Sequence, residues 1–216
     1  MKKVVILNPK GGSGKTTIAT NLAASLAIGG LRACLLDLDP QGSSLAWLKK
    51  RPTERPNIHG INGSHFNLRV TRSWQFRQYP DAEAVLVDTP AGLGRDRMAD
   101  LLRDAHRVII PILPSAIDID AAPRTLADLL LTNYPRERIA IIGNRVRTRT
   151  QALGVFEKFL ASLNITPLAF LKDSQLYVRA SAMGLGLLEY PTWMARQEAE
   201  AWIRLRDWFQ AIPDEP

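Results

Sequence analysis

The stretch Val4-Val5-Ile6-Leu7-Asn8-Pro9-Lys10-Gly11-Gly12-Ser13-Gly14-Lys15-Thr16-Thr17 decides the fold of this chain. A short apolar run ends in a loop with three glycines and two lysines. An Ala/Leu-rich segment of helical period follows over residues 16–28 and stops at Gly29-Gly30. Strand, glycine loop and helix, in that order, let backbone N–H groups converge on phosphate at a helix N-terminus. Gly11, Gly12, Ser13 and Gly14 supply the cradle, with Thr17 in the first helical turn behind it. Lys15 places a point charge against the β- and γ-phosphates, and the Thr16 hydroxyl can ligate Mg2+.

Outward from this loop, apolar runs at residues 33–37, 84–88, 108–113 and 139–143 repeat the run at 4–8, and a weaker one lies at 166–170. Helical periodicity returns at 118–133 and 153–163. Nearly continuous apolar strands alternating with helices predict an α/β, doubly wound fold with a mostly parallel sheet covered on both faces. Residues 51–79 are polar, and with Lys49 and Lys50 just before them they carry Arg51, Arg55, Arg69, Arg72 and Arg77. They read as an irregular excursion. A last amphipathic helix is expected over 192–211, packed on the domain with its tryptophans in the core, followed by a frayed tail at 213–216. One domain, 1–212, accounts for the pattern.

Composition narrows the class. The chain has 216 residues, 46% of them apolar and 23% charged, which excludes disordered, collagen-like and coiled-coil proteins. A chain this long buries roughly 70–75% of its unfolded surface and needs no staple. The single cysteine, Cys34, excludes an internal disulfide and a thiolate-rich zinc site, and its apolar neighbours predict a buried, inert thiol. No apolar run approaches 18 residues, and the run behind Met1-Lys2-Lys3 is too short for a signal peptide, so a cytoplasmic protein is expected.

A phosphate loop needs carboxylates to position metal and water. Asp37 and Asp39, in Leu35-Leu36-Asp37-Leu38-Asp39-Pro40-Gln41-Gly42, close the second strand at the sheet edge where ligands bind, and period-two geometry puts both on one face. Asp88 closes Val85-Leu86-Val87-Asp88 ahead of Thr89-Pro90-Ala91-Gly92, an arrangement that holds Mg2+. One aspartate at a strand end is as readily a helix cap. Three in order behind a phosphate loop point to nucleotide chemistry.

The standard pattern G-x-x-x-x-G-K-[ST] fails in one place: Pro9 stands where its first glycine belongs, and Lys10 is an extra lysine. The loop thereby resembles the deviant Walker A motif of the ParA/MinD branch of P-loop ATPases. The resemblance implies that Lys10 reaches across a dimer interface to the neighbouring copy's phosphates, although by itself it also reads as a solvated loop charge. Asp37-Leu38-Asp39-Pro40-Gln41 resembles that branch's D-x-D-P-Q segment. This implies that Asp39 orients or activates the attacking water, with Asp37 near the Mg2+ shell beside Thr16 and Asp88. Asp88-Thr89-Pro90-Ala91-Gly92 resembles the switch that senses the γ-phosphate. Pro111-Ile112-Leu113-Pro114-Ser115-Ala116-Ile117-Asp118 is similar to the P-x-x-P-S-x-x-D segment of small ParA proteins, and Asn144 and residues 170–174 fall where adenine is held. Lys10, Lys15 and Asp39 are thus the catalytic candidates, with ATP and Mg2+ as cofactors.

The same resemblance implies a homodimer formed with ATP, slow hydrolysis, non-specific DNA binding late in the chain, and a ParB-like or other activating partner protein. The formal charge of +7 and the run of Arg136, Arg138, Arg145, Arg147 and Arg149 fit DNA. The residues singled out for it are Arg145, Arg147, Arg149, Lys172 and Arg179, which read equally as solvated surface or ion pairs. Cys34 alone cannot build the iron–sulfur cluster of the nitrogenase-reductase relatives. Residues 191–216 hold three basic and five acidic side chains, so an anionic membrane repels them. With the phosphate loop so close to the first residue, no operator-reading helix-turn-helix is expected ahead of it. The expected function is segregation of plasmid or chromosomal DNA by a cytoplasmic, nucleoid-associated ATPase. The alternative is positioning of a protein cargo on the nucleoid or membrane.

Overall fold

The computed structural model describes residues 1–64 and 80–213. Its strands are β1 (Lys2–Ile6), β2 (Ala33–Asp37), β3 (Ile58–Asn62), β4 (Ala84–Asp88), β5 (Arg107–Ile112), β6 (Ile139–Val146) and β7 (Ala169–Lys172). Among the described residues they form one sheet in the order β3-β2-β4-β1-β5-β6-β7. Every pairing is parallel. The helices are α1 (Lys15–Ile28), α2 (Ser43–Leu48), α3 (Arg95–Leu102), α4 (Ala116–Leu130), α5 (Gln151–Ser162), α6 (Gln175–Ala182), α7 (Trp193–Arg196) and α8 (Ala199–Gln210).

The apolar strands divide their side chains between two cores. Val4, Ile6, Leu35 and Leu86 face α1 and α8, with Trp202, Leu205 and Phe209 fully buried there. Val5, Leu36, Val85 and Val87 face the opposite layer, with Met98 and Leu101 of α3, Leu129 of α4 and Phe156 of α5. Helix α1 buries residues all round, because it is wedged between the sheet and α8 rather than lying on the surface. Parallel pairing brings the C-terminal ends of β1, β2 and β4 level, so that Ile6 and Asp37 both stand opposite Asp88. The ligand edge of the sheet is therefore fixed by register. Cys34 is buried, and burial pushes its thiol up to about 12, as an inert thiol requires.

Three expectations change. Residues 51–79 are not wholly irregular, since Ile58–Asn62 adds β3 to the edge of the sheet. Its mixed sequence hid it, and Gly60 is there because α2 lies on it: a Cβ would stand 2.6 Å from Leu48 and 2.7 Å from Leu45. Residues 65–79, with Arg69, Arg72 and Arg77, lie outside the described residues, as do 214–216 of the expected tail. The last helix is two, α7 and α8, and its tryptophans part company: Trp202 is buried while Trp193 is 66% exposed. The weak strand at 166–170 sits later, at Ala169–Lys172. Among the described residues no helix is long and apolar enough to cross a membrane.

A candidate nucleotide site

The loop between β1 and α1 is shaped by backbone that only glycine adopts freely. Gly12 and Gly14 have φ of +76° and +95°. A Cβ on Gly14 would lie 2.1 Å from the Asn144 amide nitrogen, which donates to the Ser13 carbonyl at 2.8 Å. Asn144, buried near the end of β6, thus fastens the loop from two strands away, across β5. Asn8 secures the other end, accepting the Lys10 N–H at 2.8 Å while donating to the Pro111 carbonyl at 2.7 Å. The Gly92 N–H, in the segment after Asp88, donates to the Pro9 carbonyl at 2.8 Å.

Lys15 is only 7% exposed, and its ammonium donates to the Lys10 carbonyl at 3.1 Å. Burial lowers its pKa, against the opposing pull of Asp88 and Asp39. Asp88 is fully buried, and neither carboxylate oxygen accepts a hydrogen bond. Burial, reinforced by the charge of Asp37, pushes its pKa up to about 7, with Thr16, Lys15 and Ser44 pulling the other way. An orphaned buried carboxylate beside a threonine hydroxyl suits a hard cation. No group of three or more His, Cys, Asp or Glu among the described residues could hold a metal alone. The fit is to an ion such as Mg2+ that takes one or two protein ligands and completes its shell with phosphate oxygens and water.

The other two aspartates are already engaged with backbone. Asp37, 1% exposed, accepts the Asp39 N–H on Oδ1 at 3.0 Å and those of Ser44 and Leu45 on Oδ2 at 3.1 Å each. It therefore anchors the start of α2 and the loop that carries Asp39. Asp39 is half-buried and accepts the Gln41 N–H at 2.9 Å.

Lys10 does not join the phosphate cradle of its own chain. Its ammonium, 35% exposed, meets Asp118 Oδ2 at 2.7 Å, and Asp118 is 5% exposed. Ser115 caps α4, bonds the same carboxylate oxygen, and leaves Oδ1 of Asp118 buried without a donor. The sequence marked Asp118 without a role; its contact with Lys10 supplies one.

The basic candidates gather beyond β6 and β7, mostly paired. Arg145 and Arg147 share Asp173 at 3.3 Å and 2.7 Å, and Lys172 meets Glu198 at 2.7 Å. Arg147 and Arg145 hold the Asp173 carboxyl below the usual carboxylate range. Arg149 and Arg179 are exposed and have no ion-pair partner among the described residues.

A parallel sheet with a glycine loop at the end of its central strand, a buried lysine in that loop and an unbonded aspartate beside it define a P-loop nucleotide-binding protein. More narrowly, residues 4–186 match the CobQ/CobB/MinD/ParA nucleotide binding domain, and the chain belongs to that family. It is 32% identical over 212 residues to the "Maintenance of carboxysome distribution protein A" of Gloeobacter kilaueensis, covering 95% of this chain and 94% of that protein. It is 48% identical over 127 residues to the "Chromosome-partitioning ATPase Soj" of Thermus thermophilus, covering 54% of this chain and 51% of that one. In fold it is similar to the MinD cell division protein of Aquifex aeolicus, with a TM-score of 0.76 at 17% identity over 100% of this chain and 99% of that one.

Proposed function

We propose that this chain is an ATP-operated positioning switch. It binds ATP with Mg2+, pairs face to face with a second copy, hydrolyses slowly, and in the ATP state holds DNA non-specifically while distributing a cargo. The observation that carries the reading is Lys10, a cation at the mouth of the phosphate loop that its own chain holds aside on Asp118. A charge delivered in trans makes hydrolysis conditional on pairing, as an arginine finger does. Residues 11–17 hold the phosphates, and Thr16 and Asp88 hold the cation, which neutralises phosphate charge when bound. Asp37 adds charge beside Asp88 and fixes the loop on which Asp39 positions water. Asn144, fastened to Ser13, is the candidate neighbour of the base.

For the cargo, similarity along almost the whole chain to a carboxysome distribution protein favours a protein assembly. Partition of plasmid or chromosomal DNA with a ParB-like partner is the second reading, favoured by the higher identity to Soj over about half the chain. Both readings place the protein in the cytoplasm on the nucleoid. Arg149 and Arg179 are the first DNA candidates, because Arg145, Arg147 and Lys172 must first leave Asp173 and Glu198.

The test is DNA retention by the Asp39→Ala variant with ATP, ADP or no nucleotide, at low and moderate salt, with dimerisation followed by size exclusion. Salt-sensitive binding to arbitrary sequence, seen only with ATP, supports the switch. Absence of DNA binding in every state returns the arginines to ordinary surface charge and removes the nucleoid from the proposal. An ATP-bound protein that stays monomeric removes the trans role of Lys10.

A further inference from the structure

One buried charged pair has no part in the site described so far. Arg51, just beyond α2, meets Glu189 in a two-pronged contact: Nη1 donates to Oε2 at 2.8 Å and Nη2 to Oε1 at 2.7 Å. The side chains are 5% and 1% exposed. Arg51 Nε donates to the Pro56 carbonyl at 3.0 Å, and Nη1 also reaches the Gly184 carbonyl at 3.3 Å. Glu189 Oε2 accepts the Gly186 N–H at 2.8 Å. The backbones press together as well: Gly184, at φ +67°, has no room for a Cβ, which would stand 2.4 Å from the Arg51 nitrogen.

Burying two charges costs more than burying an apolar pair of the same volume often does. What the pair gives in return is one arrangement, bonded at both ends and intolerant of alternatives. The element it arranges is α2. At its C-terminal end α2 is tied to the turn at 184–189 through Arg51 and through Trp47, whose indole N–H donates to the Leu185 carbonyl at 3.3 Å. Below, it rests on Gly60. At its N-terminal end the Ser44 and Leu45 N–H groups grip Asp37, which in turn holds the Asp39 N–H. The same turn is bonded to α1, since the Leu187 N–H donates to Asn21 Oδ1 at 2.7 Å and the Asn21 amide donates to the Thr17 carbonyl at 2.8 Å. One turn therefore joins the helix that begins at the phosphate loop to the helix that follows Asp39.

We propose that Arg51 and Glu189 are a positioning pair for hydrolysis, fixing α2 against α1 and so setting where Asp39 stands relative to the phosphate loop. The inference rests on the water-positioning role given to Asp39. Neither residue belongs to the phosphate loop or the metal pair, so nucleotide affinity and hydrolysis respond differently to their loss.

The experiment measures affinity for a fluorescent ATP analogue with Mg2+, ATP hydrolysis and thermal melting on the full chain. The variants are Arg51→Lys and the paired Arg51→Met with Glu189→Leu, which leaves no stranded charge. In the paired variant affinity stays within about twofold of wild type, the melting temperature moves by a few degrees, and hydrolysis slows about tenfold or more. Arg51→Lys falls between, because an ammonium cannot form the two-pronged contact. Hydrolysis within about twofold of wild type in the folded paired variant overturns the proposal. A parallel loss of affinity, hydrolysis and melting temperature also overturns it, marking a purely structural pair. Should the paired variant not fold, Arg51→Lys is judged by the same split. Wild-type protein that binds Mg-ATP but does not hydrolyse it, alone or with DNA, overturns the role of Asp39 and the positioning role with it.

Discussion

The phosphate end of the sheet and the arginine-rich end beyond β6 and β7 treat charge in opposite ways. At the first, Asp88 is fully buried without a hydrogen bond and Lys15 is 7% exposed. At the second, Arg145 and Arg147 are 62% and 74% exposed and share one aspartate. A buried charge left short of partners shifts its pKa toward the neutral form, as Asp88 does, and marks a place that a ligand can complete. An exposed pair is worth about 0–1 kcal/mol and exchanges partners readily. The contrast supports the proposed chemistry at the first end, and exchangeable contact with a polyanion suits the second.

Removing Lys15 tests the contrast hardest. Lys15→Ala strands phosphate charge in a buried loop, so ATP affinity should fall by about 4 kcal/mol, close to a thousandfold, with loss of dimerisation. Calorimetry that finds near-normal affinity breaks the comparison at its root. Asp39→Ala comes next: the ATP-bound dimer should persist while turnover drops by about a hundredfold or more. Rapid turnover by that variant removes Asp39 from the chemistry.

Asp88 predicts a pH signature. Its pKa, raised by burial to about 7, means that a cation must displace a proton below that value. Mg2+ affinity should weaken by up to about tenfold per pH unit below 7, and Asp88→Asn should flatten the slope. Without ligand the sign is reversed. The folded protein holds that proton more tightly than the unfolded chain, so the stability it contributes is present in acid and is lost as pH rises toward 7. Melts of wild type and Asp88→Asn across pH, with and without Mg-nucleotide, measure both slopes.

The smallest effect is at the arginine end. Asp173→Asn should cost less than about 1 kcal/mol of stability, as for any exposed pair. It should also free Arg145 and Arg147 to raise DNA retention severalfold, steepening the log–log salt plot by up to about 0.9 per added phosphate contact. A large loss of stability in that variant would show the cluster to be structural and blur the distinction between the two ends.

The phosphate end was legible in sequence because its chemistry dictates residue types at short spacing: glycines where φ is positive, lysine and threonine next to each other, aspartates at strand ends. The apolar strands were legible for the same local reason. Ile58–Asn62 was not, because His59, Gly60 and Asn62 break both the apolar run and the alternation, and its place depends on α2 lying over it. The break between α7 and α8 was invisible because an amphipathic pattern runs through it. Arg51 and Glu189, 138 positions apart, leave no local trace at all. Asp118 lay between these cases, marked by a motif but given meaning only by Lys10 meeting it in space.

That contact between Lys10 and Asp118 bears on how such a protein gauges its surroundings. If Lys10 serves the neighbouring copy, as proposed, a copy that holds this cation on its own Asp118 leaves every isolated site one charge short, and completion takes an encounter. Under the proposed mechanism the rate of completion follows the square of local copy number at low occupancy. Where copies crowd together sites are finished quickly, and where they are sparse ATP is held unspent. On that proposal the lysine would work as a census taker, turning crowding on a surface into a chemical clock.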